Sequence, residues 1–207
     1  MSKRIKVACV GDSITWGFLI LNRHKDSYPA VLRSLLGGGF RVRNFGCNNA
    51  AATLESDLPY VLTRAYRLSR WFRPDVVVLM LGTNDSKKIH WNAERFRTSY
   101  TRIVESYRKL KSAPRLFLML PPHAFPVLDT GPFTIRDEVI TDEVIPIIRE
   151  IAAAEGLPLI DINSVLCSPE RFVDGVHPDK DGARLIARTV YDHLTSGPAQ
   201  LGQDILH

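Results

Sequence analysis

The sequence predicts an α/β fold in which a five-stranded parallel sheet lies between helix layers. Two observations carry this. Short β-rich runs alternate with longer amphipathic stretches along nearly the whole chain, and that alternation defines one α/β architecture with right-handed crossovers. The run Asp75-Val76-Val77-Val78-Leu79-Met80-Leu81 is almost entirely apolar after its first residue. A strand of that kind is covered on both faces, as strands in parallel sheets are.

Each element has its own signal. The first strand, 5–11, starts with Ile5-Lys6-Val7-Ala8-Cys9-Val10. A helix is expected over 27–36, closed by Gly37-Gly38-Gly39 before a second strand at 41–45. A helix over 58–72 leads into the apolar third strand, 75–81. The stretch 93–111 places Phe96, Tyr100, Ile103, Val104 and Tyr107 three and four residues apart, an apolar helical stripe. The fourth strand is 115–120. Residues 121–137 hold Pro121, Pro122, Pro126, Gly131 and Pro132, and a loop this long in a compact fold is often a binding or lid segment. A helix over 141–155 contains Pro146, so it either kinks there or begins near Ile145. Gly156 closes it ahead of the fifth strand, 157–161, and a last helix covers 179–194.

The chain has 207 residues, a net charge of +5 and 45% hydrophobic residues, which suits one globular domain over 1–207. Its core is expected at about 5–194, with a C-terminal tail at 195–207. No apolar stretch reaches the roughly 18–20 residues of a spanning helix, so no membrane association is expected. The first strand is read from Ile5, so no signal peptide is expected; the expected location is the cytoplasm, or outside the cell if the chain begins after a cleavage site. Cys9, Cys47 and Cys167 fit no metal spacing and read as reduced thiols, Cys9 as a buried small hydrophobe. Arg64, Arg67, Arg70 and Arg73 recur every third residue. That step drifts around a helix of period 3.6 and has no interleaved aromatics, so a solvated face is the better reading than a nucleic-acid stripe.

The polar motifs fall where such a fold binds ligands, outside the carboxyl ends of the strands. Gly11-Asp12-Ser13 follows the first strand, Gly46-Cys47-Asn48-Asn49 the second, and Gly82-Thr83-Asn84-Asp85 the third; Asp174 and His177 follow the fifth. Taken singly, Ser13 reads as a helix N-cap, Asn84 as a turn residue, and Asp174-Gly175 as a turn with His177 on the surface. Taken together they supply one chemistry. A serine hydroxyl needs a neighbouring base, which His177 provides, and the imidazole needs a carboxylate to orient it, which Asp174 provides from three residues earlier. Attack on an ester creates an oxyanion, and the Ser13 backbone N–H and the Asn84 amide are candidate donors to it.

These residues resemble the blocks of the SGNH hydrolase superfamily, the GDSL-type esterases. Gly11-Asp12-Ser13-Ile14 matches the first block, Gly82-Thr83-Asn84-Asp85 the third and Asp174-Gly175-Val176-His177-Pro178 the fifth, over about 5–194. Leu79–Lys87, Leu120-Pro121-Pro122 and Val144-Ile145-Pro146-Ile147-Ile148 look most like the bacterial sialate O-acetylesterase-like and acetylxylan esterase-like members. The resemblance implies a flavodoxin-like three-layer α/β/α sandwich, no cofactor, and hydrolysis of small acyl esters, commonly acetyl groups on sugars.

The second block departs from the family pattern. Members usually carry Gly-Val-Ser-Gly-Ala-Thr there, and the second glycine gives an oxyanion N–H; aligned without gaps, Asn49 takes its place. Any residue but proline keeps a backbone N–H, and Asn tolerates a left-handed backbone best after Gly. Two roles stay open for Asn49, a backbone donor whose side chain enters the acyl pocket or a side-chain donor. Gly46 reads as a turn residue. Asp12 is expected to bond the backbone near Ser13, and Asp85 to tether the Asn84 loop. His24, His90, His123 and His193 match no block, although His90-Trp91 and His123-Ala124-Phe125 follow strand ends and are candidates to line the pocket. No metal-ligand cluster is apparent.

The expected function is hydrolysis of a short-chain ester, O-acetyl on a carbohydrate, through an acyl-enzyme on Ser13. Ser13, Asn49 and Asn84 would form the oxyanion hole. The partner is a small acylated sugar, with no nucleic acid and no membrane; the oligomeric state is not readable. The alternatives are a lysophospholipase or thioesterase on the same fold, or a binding module that has lost turnover.

Overall fold

The computed structural model describes residues 4–128 and 130–196. The tail read at 195–207 lies outside the described residues beyond Ser196.

β1 (Ile5–Gly11) runs into the short helix α1 (Ser13–Trp16); α2 (Arg23–Asp26) and α3 (Tyr28–Leu36) lead to β2 (Phe40–Gly46). α4 (Arg64–Trp71) precedes β3 (Val76–Met80), and α5 (Ala93–Arg108) precedes β4 (Arg115–Leu120). After α6 (Asp137–Val139) and α7 (Ile145–Glu155) come β5 (Leu159–Asp161), α8 (Ile162–Val165) and α9 (Lys180–Thr195). All strand pairs are parallel, in the order β2-β1-β3-β4-β5. That is the flavodoxin-like order, in which the chain reverses direction across the sheet between β1 and β3 and opens a crevice at their carboxyl ends.

Strand periodicity divides the core in two. On β3, Val77 and Leu79 point to one face and Val76, Val78 and Met80 to the other, all with no exposed surface. The first face is covered by Phe96, Tyr100, Ile103 and Tyr107 of α5 and Ile148 and Ile151 of α7. The second is covered by Tyr28 and Leu32 of α3 and Ile186, Ala187 and Val190 of α9. Full burial of each large apolar side chain contributes about 1.5–3 kcal/mol, so the unbroken apolar character of β3 reflects two layers packed on it at once. Cys9 lies in the second core with no exposed surface.

The structure shifts several expected elements. The helix expected over 58–72 is a 3-10 turn at Tyr60–Leu62 followed by α4. Thr63 separates them because its Oγ1 accepts the Tyr66 N–H at 3.1 Å and so starts a new helix. In place of the helix expected over 141–155, a π-turn over Ile140–Val144 runs without a break into α7 at Ile145, since Val144 is itself helical (φ −62°, ψ −51°), so Pro146 lies inside a continuous helical run directly after the π-turn. The short helices α1, α2, α6 and α8 span three or four residues each, too few to show a helical period. The arginine spacing does not persist on one helix: α4 ends at Trp71, and Arg73 has a positive φ of 51°.

Candidate active site

Ser13 is the first residue of α1, set by the residue before it. Asp12 Oδ1 accepts the Ile14 N–H at 2.9 Å and caps the helix. The Ser13 N–H itself has no partner among the described residues, as expected for a donor in a first helical turn. The end of β2 is fastened to the same helix: Asn44 Nδ2 donates to Thr15 O at 2.8 Å, while its Oδ1 accepts the Gly46 N–H at 2.8 Å. A β-carbon on Gly46 would stand 2.2 Å from Trp16 N, so this glycine is required by close approach and is not a donor position.

The base arrives from the other end of the sequence. Asp174 Oδ1 accepts the backbone N–H groups of Val176 (3.0 Å) and His177 (2.8 Å), and its Oδ2 lies 2.7 Å from His177 Nδ1. One carboxylate thus folds the turn and orients the ring. His177 Nε2 lies 2.8 Å from Ser13 Oγ. Burial pushes the Asp174 carboxyl up, but these three N–H donors outweigh it and hold the group below its ordinary value. Phe18 meets the imidazole edge-on, with centroids 4.8 Å apart. The Pro-rich loop braces the turn from behind: a β-carbon on Gly175 (φ 81°) would lie 1.8 Å from Phe125 O, and the Phe125 N–H donates to Gly175 O.

Asn84 opens a 3-10 turn, Asn84–Ser86, after β3. Its Nδ2 donates to Ala50 O at 3.0 Å, which leaves one amide hydrogen of that nitrogen for the pocket. Asp85 turns inward, and its two oxygens accept the N–H groups of Ala52 (2.9 Å) and Thr53 (2.8 Å). The expected tether is present, and it holds the loop after β2. Burial raises the Asp85 pKa.

Asn49 has the left-handed backbone, φ 64°. Its backbone N–H has no partner among the described residues, but its side chain is engaged at both ends. Lys87 Nζ donates to Oδ1, and Nδ2 donates to Asp57 Oδ2 at 3.2 Å. Asp57 Oδ1 in turn lies 3.3 Å from His90 Nε2, and His90 Nδ1 is 3.4 Å from Asn84 O. His90 therefore joins the Asn49 and Asn84 loops from behind.

Ser13, Asn49, Asn84, Asp174 and His177 all line one pocket of about 290 Å³. Phe18, Asn48, Thr83, Lys87, Ile135 and Val176 complete its lining. Lys87 and Phe18 belong to no motif that marks them as pocket residues; the only sequence signal is their closeness to Asn84 and Ser13. His90-Trp91 and His123-Ala124-Phe125, read as candidates for the lining, are not part of it. His123 instead faces Asp137 at 2.9 Å. From the Pro-rich loop Ile135 reaches the pocket. Among the described residues no three His, Cys, Asp or Glu side chains are grouped to hold a metal ion.

Comparison with known proteins agrees with this architecture. The model of the GDSL-like lipase/acylhydrolase family matches residues 9–185. An acetylxylan esterase of Xylanibacter ruminicola is 37% identical over 90% of the chain. The chain corresponds to 42% of that protein, so it spans less than half the length of this relative. Among solved structures, a carbohydrate acetylesterase from Sinorhizobium meliloti superimposes with a TM-score of 0.77 at 20% identity, covering 94% of this chain and 99% of that one. The aryl esterase of M. smegmatis gives 0.76 at 20% identity, covering 93% and 99%. At such identities these two structures speak for the fold.

Proposed function

The chain belongs to the GDSL-like lipase/acylhydrolase family, and we propose that it is a serine ester hydrolase that removes short acyl groups, acetyl above all, from carbohydrates. The observation that carries this reading is the continuous chain Ser13 Oγ–His177 Nε2 (2.8 Å) and His177 Nδ1–Asp174 Oδ2 (2.7 Å) at the wall of a pocket. The likeness to an acetylxylan esterase supports the acetyl and sugar parts.

In this mechanism Ser13 Oγ attacks the acyl carbonyl while His177 Nε2 takes its proton. Asp174 keeps the proton on Nδ1, so that Nε2 is the basic nitrogen, and stabilises the imidazolium that forms. The carbonyl oxygen becomes an oxyanion facing the Ser13 N–H, the Asn49 N–H and the Asn84 amide. Donors already fixed in place need no reorganisation as charge develops, and each contributes about 2.7–4 kcal/mol to lowering the barrier. His177 then returns the proton to the leaving sugar hydroxyl. In the second half it deprotonates a water that attacks the acyl-enzyme, and Ser13 is released with acetate.

The test is a set of initial rates on p-nitrophenyl acetate, butyrate, octanoate and palmitate beside acetate release from acetylated xylan. The expected result is acetyl favoured over octanoyl by at least about tenfold, because a pocket near 290 Å³ with Asn49 in its wall fits a short chain. Rates that rise with chain length would replace this reading with a lysophospholipase or thioesterase.

A further inference from the structure

Lys87 is buried, 6% exposed, in the wall of the pocket that holds Ser13, and the proposed mechanism gives it no task. An ammonium has three donors. One goes to Asn49 Oδ1, a neutral amide oxygen. Among the described residues no carboxylate oxygen lies within 4.0 Å of Nζ, and no other hydrogen bond is made by it. Burial lowers the Lys87 pKa, while the charges of Asp57, Asp85 and Asp12 act from a distance to keep it protonated.

None of those three acids touches Lys87. Asp57 bonds Asn49 and faces His90, Asp85 holds the Ala52 and Thr53 amides, and Asp12 caps α1. Lys87 is thus a buried amine that no carboxylate touches, with Asp57 the chief acid favouring its charged form. Buried charges are ordinarily paired, and one left with free donors at the wall of a cavity is arranged for an anion brought by a ligand. The other ionised side chain of the lining, Asp174, is bonded to His177 and leaves Lys87 as the free charge. Asn48 lies beside Lys87 in the same lining.

We propose that Lys87 forms a carboxylate subsite, so that the preferred substrates are acetyl esters of acidic sugars such as uronic acids. This deepens the ester hydrolase reading and rests on it. The likeness to an acetylxylan esterase favours the sugar as the source of the carboxylate. A carboxylate at the end of the acyl chain has the same chemistry and is distinguished by the substrates used.

The experiment compares kcat/KM for acetate release from matched methyl glycosides, O-acetyl glucuronic acid and O-acetyl glucose, which differ in one carboxylate, with p-nitrophenyl succinate and butyrate as the acyl-side pair. In the parent protein the acidic sugar should be favoured by at least about tenfold, the size of one charge-assisted hydrogen bond. That preference should fall to near unity in Lys87→Met, persist in Lys87→Arg, and weaken with added salt. Succinate against butyrate should show no such preference. Equal rates on both sugars in the parent, a preference confined to succinate, or an equal loss on both sugars in folded Lys87→Met would overturn the subsite while leaving the hydrolase intact. The last of these would mean that Lys87 only holds Asn49. Failure to cleave any ester would overturn the hydrolase and the subsite with it.

Discussion

Ser13 and His177 are 164 positions apart in the chain, yet the hydroxyl oxygen of one lies 2.8 Å from the ring nitrogen of the other. Neither residue has freedom to place itself. Ser13 is fixed by the Asp12 cap at the end of the buried strand β1, and His177 by a turn folded on Asp174 and braced by Phe125. Parallel strands deliver both segments to one edge of the sheet, so a contact this distant in sequence follows from topology.

Ser13→Ala removes the nucleophile and leaves the Asp12 cap and the α1 backbone untouched. The expected loss of ester hydrolysis is at least about three orders of magnitude in a protein with an unchanged circular dichroism spectrum. Substantial turnover in the folded variant would refute the serine mechanism.

Asp174 and His177 act as a unit, so their losses should not multiply. His177→Ala is expected to cost at least as much as Asp174→Asn, and the double variant little more than His177→Ala alone. Asp174→Asn also replaces one acceptor with an amide that cannot hold the same ring tautomer. Rate constants on p-nitrophenyl acetate decide the matter, and losses that multiply would show the two residues to be independent.

Much of this was legible in the sequence because the informative residues sit at strand ends. β1 and β4 have the bounds read from their apolar runs, and the apolar stripe of α5 is the set of residues buried there apart from Ser99. Ser13, Asp174, His177, Asn49 and Asn84 do meet at one pocket. What was not legible depends on contacts between segments. Asp57 has no motif around it, and its link to Asn49 and His90 exists only after the loops following β2 and β3 come together. Phe18 and Lys87 carry no period and no spacing rule; their places in the pocket follow from where α1 and the Asn84 turn end. His90 matches no block and reads from the sequence as a candidate for the pocket lining; it lies behind the lining instead, with its side chain 4% exposed.

Asp85 should matter for stability more than for chemistry. Its carboxylate accepts two buried N–H groups, and Asp85→Ala leaves both without a partner at about 1–3 kcal/mol each. Urea denaturation is expected to show that loss, with a weaker effect in Asp85→Asn, which keeps one acceptor. A midpoint unchanged in Asp85→Ala would mean that the loop after β2 finds other partners.

Asp12 gives the fold a pH dependence of its own. Burial raises its pKa to about 7; the Ile14 N–H and Thr83 side chain lower it in part, and the Asp85 charge raises it. An unfolded aspartate titrates near 3.9, so between about pH 4 and 7 the folded state binds the proton more readily than the unfolded one. Stability from this group therefore falls as pH rises through that window, and the deficit is complete above about 7. Asp12→Asn keeps the Oδ1 acceptor for Ile14 and cannot ionise. It should gain stability over the parent at pH 8 relative to the same comparison at pH 5. A difference between variant and parent that is the same at both pH values would show that Asp12 ionises normally in the fold.

Asn49→Gly tests the least usual residue of the site. The side chain is occupied, Oδ1 by Lys87 and Nδ2 by Asp57, so what Asn49 offers an oxyanion is its backbone N–H. Glycine keeps that donor and adopts a φ of 64° without a steric cost, whereas an L-residue there pays about 1–2 kcal/mol, less for Asn. Against this, the change releases Lys87 and Asp57 from their bridge and gives the loop more freedom. The expected balance is a change of less than about tenfold in kcat on acetyl esters, because losing an oxyanion donor costs about 2.7–4 kcal/mol and none is lost. The vacated volume should raise the rate on butyryl relative to acetyl esters. A fall of about a hundredfold or more on p-nitrophenyl acetate, in a folded protein, would mean that the side chain and its bridge to Lys87 are what keep the donor in line.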